Sequence, residues 1–583
     1  MGLIVSDPPP IPSFDRNFFT GKERFTAIGR GSLGGKAQGL ARTCGLVGGP
    51  WTASFQPDIE VSIPTLTVIA TEFFDLFMKQ NHLTETALSD FRDDVIASAF
   101  QRASLPAQLV GDLRALIAQV KTPLAIRSSS LLEDAMFEPF ASVYATKMIP
   151  NNQLDTDSRF RKLVEAVKYI YASTFFKDAK NYIRATRHAT ADEKMAVIIQ
   201  EVVGLRHGQR FYPHVSGVAR SHNFYPLGHA KPSDGVIDLA LGLGKTIVDD
   251  GVAWSFSPVH PQANPPYNTL DDLLSQTQSA FWAISMEPPA EYDPIKETEY
   301  LKKYNLRDAE NDGVLRFLAS TYRAQDDKII YGITERGPRV VDFAAILKFD
   351  LLPLNKLLRD LLSLCEDSLG RMVEIEFAMT LDESCGRPAH FAFLQVRPMV
   401  VSAAEIELCP KDLEGNDVLA ASEAALGNGV REDIRDIVFV RPDRFHVHHS
   451  QAVASELEGL NRKLQTLGLS YVLIGFGRWG TSDPQAGIPV NFGQISGAKV
   501  IIESALPETS SMLSQGSHFF HNITSFRVFY FSLSPFDKHR IDWEWLNRQA
   551  AASETEFVRH VHLASPLKIM VDGTSGRGVI RHG

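Results

Sequence analysis

Apolar residues recur every three or four positions in TEFFDLFMKQ (71–80), SDFRDDVIASAF (89–100) and NKLLRDLLSLCEDSL (355–369). That spacing lines one face of a helix, so each segment is predicted helical. PLAIRSSS (123–130), MAVIIQEVV (195–203), GVIDLALG (235–242) and RVVDFAAIL (339–347) are instead short apolar runs rich in Val and Ile. Branching at Cβ restricts χ1 and suits a pleated surface, and these runs are predicted strands. MVEIEFAMTL (372–381) and FAFLQVRPMV (391–400) flank a polar loop and read as a hairpin with a long turn. Residues 1–14 are proline-rich and read as a tail. Residues 403–432 are acidic and Ala-rich without a strand pattern, and read as a linker holding a domain boundary. After it, DIVFVRP (436–442), ASELEGLNRKLQTLG (454–468), YVLIG (471–475) and GAKVIIES (497–504) alternate strand and helix, which predicts a small α/β domain over 433–583. The whole is expected to be an α+β chain with its main body at 15–402.

Composition narrows the function classes. Of the 583 residues 44% are hydrophobic and 22% charged, the balance of a soluble globular protein. A net charge of −10 without a long basic run argues against nucleic acid or a membrane surface as partner. Cys44, Cys365, Cys385 and Cys409 are too few and too irregular for a disulfide framework or a zinc site. With no 18-residue apolar run and no basic, apolar leader, a cytoplasmic location is expected.

Three segments carry candidate chemistry. In DLALGLGKTIVDDG (238–251) a P-loop reading fails, because Leu239 and Ala240 stand where a phosphate-cradling loop needs glycine. In the hairpin, alternation puts Glu374 and Glu376 on one face of their strand, and Gln395 and Arg397 on one face of the partner. Paired, they present two carboxylates, an amide and a guanidinium. That set suits magnesium with a polyphosphate: hard oxygens hold the metal and the planar guanidinium grips phosphate. The same residues also suit an exposed sheet face with one cross-strand ion pair. GRGSLGGKAQGLAR (29–42) places Gly34, Gly35 and Lys36 before a helical pattern, where free N–H groups and the helix dipole attract anions. LAIRSSS adds Arg127 at a strand end beside three serines.

Taken in order, GGK (34–36), IRSS with a downstream Glu-Asp (126–134), VIIQEVV (197–203), SGVA (216–219), GLGK (242–245), EIEF (374–377) and LQVRP (394–398) resemble the nucleotide-binding domain of phosphoenolpyruvate synthase and pyruvate, phosphate dikinase. The resemblance covers about residues 20–402 and implies an ATP-grasp fold, in which two α+β lobes sandwich ATP. It implies that Lys36 and Arg127 contact phosphates and that Gln200, Glu201, Val202 and Val203 line the adenine through backbone groups. Glu376 and Gln395 would hold Mg²⁺, Glu374 would sit near ribose or metal, and Arg397 would hold the γ-phosphate. Three positions depart from the family pattern. Lys245 replaces an acid of the glycine turn, Ser142 in Pro139–Phe140–Ala141–Ser142 replaces a loop glycine, and Arg220 follows SGVA where the family prefers an aromatic.

The residues after 402 are too few for the pyruvate barrel of roughly 250 residues, and the usual phosphohistidine pattern is missing, so pyruvate is not the expected substrate. The tail resembles that of a bacterial and archaeal group of phosphoenolpyruvate/pyruvate-binding-domain proteins, through IGFGRWGTSDPQAGIPV (474–490) and SQGSHFFHNITS (514–525). Arg478 there is a candidate anion holder. His518 is a candidate phosphate acceptor, with His521 one helical turn on, since neutral imidazole is nucleophilic near pH 7. His446, His448 and His449 form a further cluster with metal-ligand chemistry. The expected activity is ATP- and Mg²⁺-dependent phosphotransfer of dikinase type to a small-molecule acceptor. The competing reading is an ATP-binding sensor or regulatory subunit without turnover.

Overall fold

The structure is a computed structural model, described over residues 11–16, 23–47, 50–131, 133, 143–184, 190–223, 230–248, 252–263, 270–275, 277–381, 388–399, 406–481, 486–504, 528–533, 538–573 and 575–582. These fall into two compact units, one ending at Met399 and the other comprising the described residues from 406 onward. Both mix helices with several sheets. Among the described residues no helix is long and apolar enough to cross a membrane.

The first unit is organised by two sheets. A five-stranded sheet has the spatial order Phe25–Ile28, Leu66–Ile69, Met195–Glu201, Leu124–Ser130, Thr146–Ile149. A six-stranded sheet runs Trp254–Phe256, Val236–Ala240, Val215–Arg220, Val373–Thr380, Ala389–Pro398, Ile59–Ser62. Leu124–Ser130 and Met195–Glu201 are almost wholly buried, so neither shows the apolar and polar alternation of a sheet with one solvated face. The helix Gly34–Val47 touches both sheets through glycines. A β-carbon at Gly34 would stand 1.8 Å from the Ser129 carbonyl oxygen, and one at Gly39 would stand 2.9 Å from that of Val396. Leu40, Ile198, Leu361, Phe377 and Val396 belong to one shared core.

The second unit holds a seven-stranded sheet in the order Ala425–Leu426, Phe529–Leu533, Ala498–Ser504, Tyr471–Phe476, Asp436–Val440, Val558–His562, Ala551–Glu554. Its four consecutive strands from Phe529 to Val440 are mutually parallel. The helix Ser450–Thr466 buries Val453, Ala454, Leu457 and Leu464. The unit also holds a four-stranded sheet of Val418–Ser422, Arg577–Arg581, Lys568–Asp572 and Gly429–Arg431, and a short pair of Arg478–Trp479 with Gly487–Ile488.

Two local expectations need correction. RVVDFAAIL is a strand only at Arg339–Val341 and turns into the helix Ala344–Leu347. Phe343 takes a left-handed φ of 52°, and the Asp342 carboxylate accepts the Ala344 N–H at 3.1 Å, so the chain is stopped and recapped within two residues. The stretch 403–432, read as a linker without strands, carries Val418–Ser422, Ala425–Leu426 and Gly429–Arg431. Val418–Ser422 and Gly429–Arg431 pair with the C-terminal hairpin at 568–581, so partners about 140 to 160 residues away override a weak local preference.

Candidate functional site

The candidate site lies in the first unit, where the Arg127 strand meets the hairpin. Arg127 pairs with Ile198 in the five-stranded sheet. Its neighbour two residues back, Ala125, pairs with Gln200, so Arg127 and Gln200 share a face. One Arg127 nitrogen donates to Gln200 Oε1 at 3.2 Å. It also reaches the Leu394 carbonyl at 3.4 Å. The other donates to Gln395 Oε1 at 2.6 Å and lies 3.4 Å from Glu376 Oε2. Residues far apart in sequence thus converge on one guanidinium.

In the hairpin Glu374 stands directly opposite Arg397, and Glu376 opposite Gln395. A bulge follows Glu376. It absorbs Leu394 and returns Ala378 and Ala392 to the same face, while Phe377 and Phe391 pack into the core. Ala378, Ala392, Leu394 and Val203 form a small apolar cluster separate from that core. The cluster continues the polar row of Glu376 and Gln395 and ends at the segment beginning with Gln200.

That segment is largely self-satisfied. The Glu201 N–H donates to the Thr65 carbonyl and the Val202 N–H to that of Pro123. The Glu201 carboxylate accepts the Thr122 hydroxyl at 2.6 Å. Gln200 differs, because Arg127 holds its amide oxygen while its buried Nε2 has no hydrogen-bond partner among the described residues. An unanswered donor in a buried position is costly unless a ligand completes it.

Lys36 is buried against a counter-ion of its own. Its Nζ lies 2.7 Å from Glu133 Oε1 and 3.2 Å from Ser128 Oγ. Glu133 is fully buried; its Oε1 also accepts Ser128 Oγ, and its Oε2 accepts the Ser130 N–H at 2.9 Å. The sequence marks Glu133 only as part of a pattern, because its approach to Lys36 just past the strand Leu124–Ser130 is a tertiary feature. At the helix start the Gly34 N–H donates to Ser32 Oγ and the Ala37 N–H to Ser129 Oγ, both at 3.1 Å. Gly35 is the second residue of this helix.

Glu374 is held from two sides. One oxygen accepts from Arg397 and the other from Arg220 Nε at 2.6 Å. Arg220 also binds Asp238 Oδ2 at 2.6 Å, and the Ser255 hydroxyl donates to Asp238. Burial opposes the Arg220 charge, but Glu374 and Asp238 outweigh it and hold the guanidinium more firmly protonated than usual. Alternation within each strand is legible in sequence; the neighbour order that sets Arg220 between Asp238 and Glu374 is not.

Glu376 and Gln395 offer a carboxylate and an amide oxygen side by side, a donor pair that fits Mg²⁺ when water and phosphate supply its remaining ligands. No group of three or more His, Cys, Asp or Glu among the described residues forms a protein-only metal cage. That includes His446, His448 and His449: the first two rings stack, and His449 meets both edge-on and lies against Phe557. The GLGK turn packs on the strand Ala280–Ser285. Gly242 has a φ of 85°, a β-carbon on it would stand 2.7 Å from the Trp282 carbonyl oxygen, and Lys245 lies 5.7 Å over the Trp282 ring. In the second unit Arg478 begins a two-residue strand beside fully buried Trp479. Pro139 to Ser142, His518 and His521 lie outside the described residues.

No curated protein matches the chain. Residues 30–413, more than half its length, match the family model described as the pyruvate phosphate dikinase AMP/ATP-binding domain, and the chain belongs to that family.

Proposed function

We propose that this protein is an ATP- and Mg²⁺-dependent phosphotransferase of dikinase type acting on a small-molecule acceptor. In this reading residues 15–402 form an ATP-grasp body whose lobes enclose the nucleotide, and the residues that follow, with the strands at 418–431 among them, form a smaller α/β domain. The observation that carries it is the convergence of Arg127 with Gln200, Glu376 and Gln395, inside a chain of a nucleotide-binding family. The adenine would lie against Val203, Ala378, Ala392 and Leu394, with the Gln200 amide as a donor. Lys36, Arg127 and Arg397 would offset the charge of the transferring phosphoryl group. Glu376 and Gln395 would hold Mg²⁺, which when bound neutralises phosphate oxygens and orients them. Because Arg127 contacts both of these residues, nucleotide binding would turn its guanidinium from protein oxygens to phosphate.

The acceptor is His518 or the substrate itself. Phosphorus NMR of the purified protein with ATP, Mg²⁺ and a panel of small metabolites separates the reactions: AMP with phosphate marks a dikinase, ADP a simple kinase. If His518 carries the group, ATP alone labels the protein with acid-labile, base-stable phosphate, and undiminished labelling in His518→Ala excludes that route. A second reading, an ATP sensor without turnover, is favoured by Lys245 and Ser142 in place of family residues and by Glu374 being bound on both oxygens. It requires that no nucleotide product form above the protein-free rate.

A further inference from the structure

Arg397, Glu374, Arg220 and Asp238 come from four neighbouring strands of the six-stranded sheet and form a continuous row of alternating charge. All four are buried, and their charges sum to zero. Each oxygen of Glu374 accepts a guanidinium, and Arg220 spans two carboxylates. Glu376, two residues along, meets one guanidinium at 3.4 Å, and its side chain is 20% exposed against 3% for Glu374. The two glutamates of EIEF, equivalent in sequence, therefore have different freedom to take a ligand. Drawing Glu374 onto a metal would strip a buried carboxylate from two buried guanidiniums, a strongly unfavourable exchange. Glu376 can accept a metal by displacing one long contact.

We propose, resting on the nucleotide-site reading above, that Glu374 contacts neither metal nor ribose, and that Arg220 is a positioning residue committing Glu374 to hold Arg397. The row from Asp238 through Arg220 and Glu374 then sets the plane of the Arg397 guanidinium. A guanidinium has five N–H donors in a fixed fork, so anchoring one edge aims the rest at the terminal phosphate. Metal binding falls to Glu376 and Gln395 alone.

The test uses the full chain and three variants: Glu376→Gln, Glu374→Gln, and the double variant Arg220→Met with Asp238→Asn, which keeps the row neutral. Calorimetric titrations give affinities for ATP and AMP and the Mg²⁺ concentration that half-saturates ATP binding. Glu376→Gln is expected to raise that Mg²⁺ concentration at least tenfold. Glu374→Gln and the double variant are expected to leave it within twofold and to weaken ATP about tenfold, with AMP, which lacks the terminal phosphate, bound as before. A purely structural row would weaken both nucleotides together, and that result overturns the assignment. So does a Mg²⁺ requirement raised as much by Glu374→Gln as by Glu376→Gln, or unchanged ATP binding in both row variants. Should the double variant fail to fold by circular dichroism, Glu374→Gln, which preserves shape, decides alone. A wild-type chain that binds neither nucleotide overturns the nucleotide-site reading itself, a result distinct from the others.

Discussion

The GGK segment shows how one residue type serves different physical needs within a single helix. Gly34 begins the helix at a φ of 75°, with the Ser129 carbonyl where a β-carbon would go. Only glycine tolerates both the left-handed backbone and that approach. Gly45, near the other end, has nothing within 4 Å of the same position. Gly34→Ala should therefore destabilise the protein by more than about 2 kcal/mol, from the left-handed penalty plus displacement of the Ser129 strand. Gly45→Ala should stabilise it by about 0.5–1 kcal/mol, through the reduced entropy of the unfolded chain and better helix propensity. Urea titration of both variants checks the opposite signs. If Gly34→Ala were neutral, the glycine would have to be explained by ligand approach instead. Gly34 was legible from sequence as a turn before a helix, but its reason, the Ser129 strand packed against it, was not.

At the scale of elements, what could be read in advance followed from period alone. Alternation along the hairpin put Glu374 and Glu376 on one face of their strand and Gln395 and Arg397 on one face of the partner without knowledge of any other strand, while the register that sets Glu374 opposite Arg397 is seen only in the structure. The 3.6-residue pattern likewise gave the helices Thr71–Gln80 and Leu354–Leu369. What stayed hidden depended on non-local order: Arg220 beside Asp238 requires the order of the six-stranded sheet, and Val418–Ser422 is a strand because Arg577–Arg581 pairs with it. The far end of the hairpin offers a test of such an added strand. His390 lies beside Ile59–Ser62, which pairs in parallel with the hairpin, and its Nε2 is 2.6 Å from Ser62 Oγ. Burial, helped by Arg24 and opposed by Glu60, lowers the His390 pKa below its ordinary value of 6.5. A depressed histidine favours the neutral form in the folded state, so its contribution is complete above pH 6.5 and is lost as the pH falls through the folded pKa. Thermal melts from pH 7.5 down to 5 should show wild type losing stability more steeply than His390→Gln. Parallel acid limbs for the two proteins would mean that His390 is not desolvated at the strand junction.

On the scale of the whole molecule, cooperativity should follow the cores. Leu40, Ile198, Leu361 and Phe377 belong to one continuous apolar cluster confined to the first unit, whereas Ile437, Val472, Phe531 and Ile569 belong to another confined to the second. A cooperative transition reflects a core that is lost together, so two cores predict two calorimetric transitions. Every residue proposed to hold ATP and Mg²⁺ lies in the first unit, so the ligand should stabilise that unit alone. At a ligand concentration one hundred times Kd the gain is about 2.7 kcal/mol. With an unfolding entropy of about 2.1 cal/mol/K per residue over nearly four hundred residues, the midpoint of that transition should rise by about 3 °C. The other transition should stay in place, and ATP without Mg²⁺ should produce a smaller rise, because Glu376 would then face phosphate without a cation between them. Scanning calorimetry with ATP, with Mg²⁺ and with both measures all three expectations in one series. A single transition would show that the two cores unfold together despite their separate packing. Two transitions rising equally would place part of the nucleotide contact in the second unit, and the boundary of the site would have to be redrawn to include it.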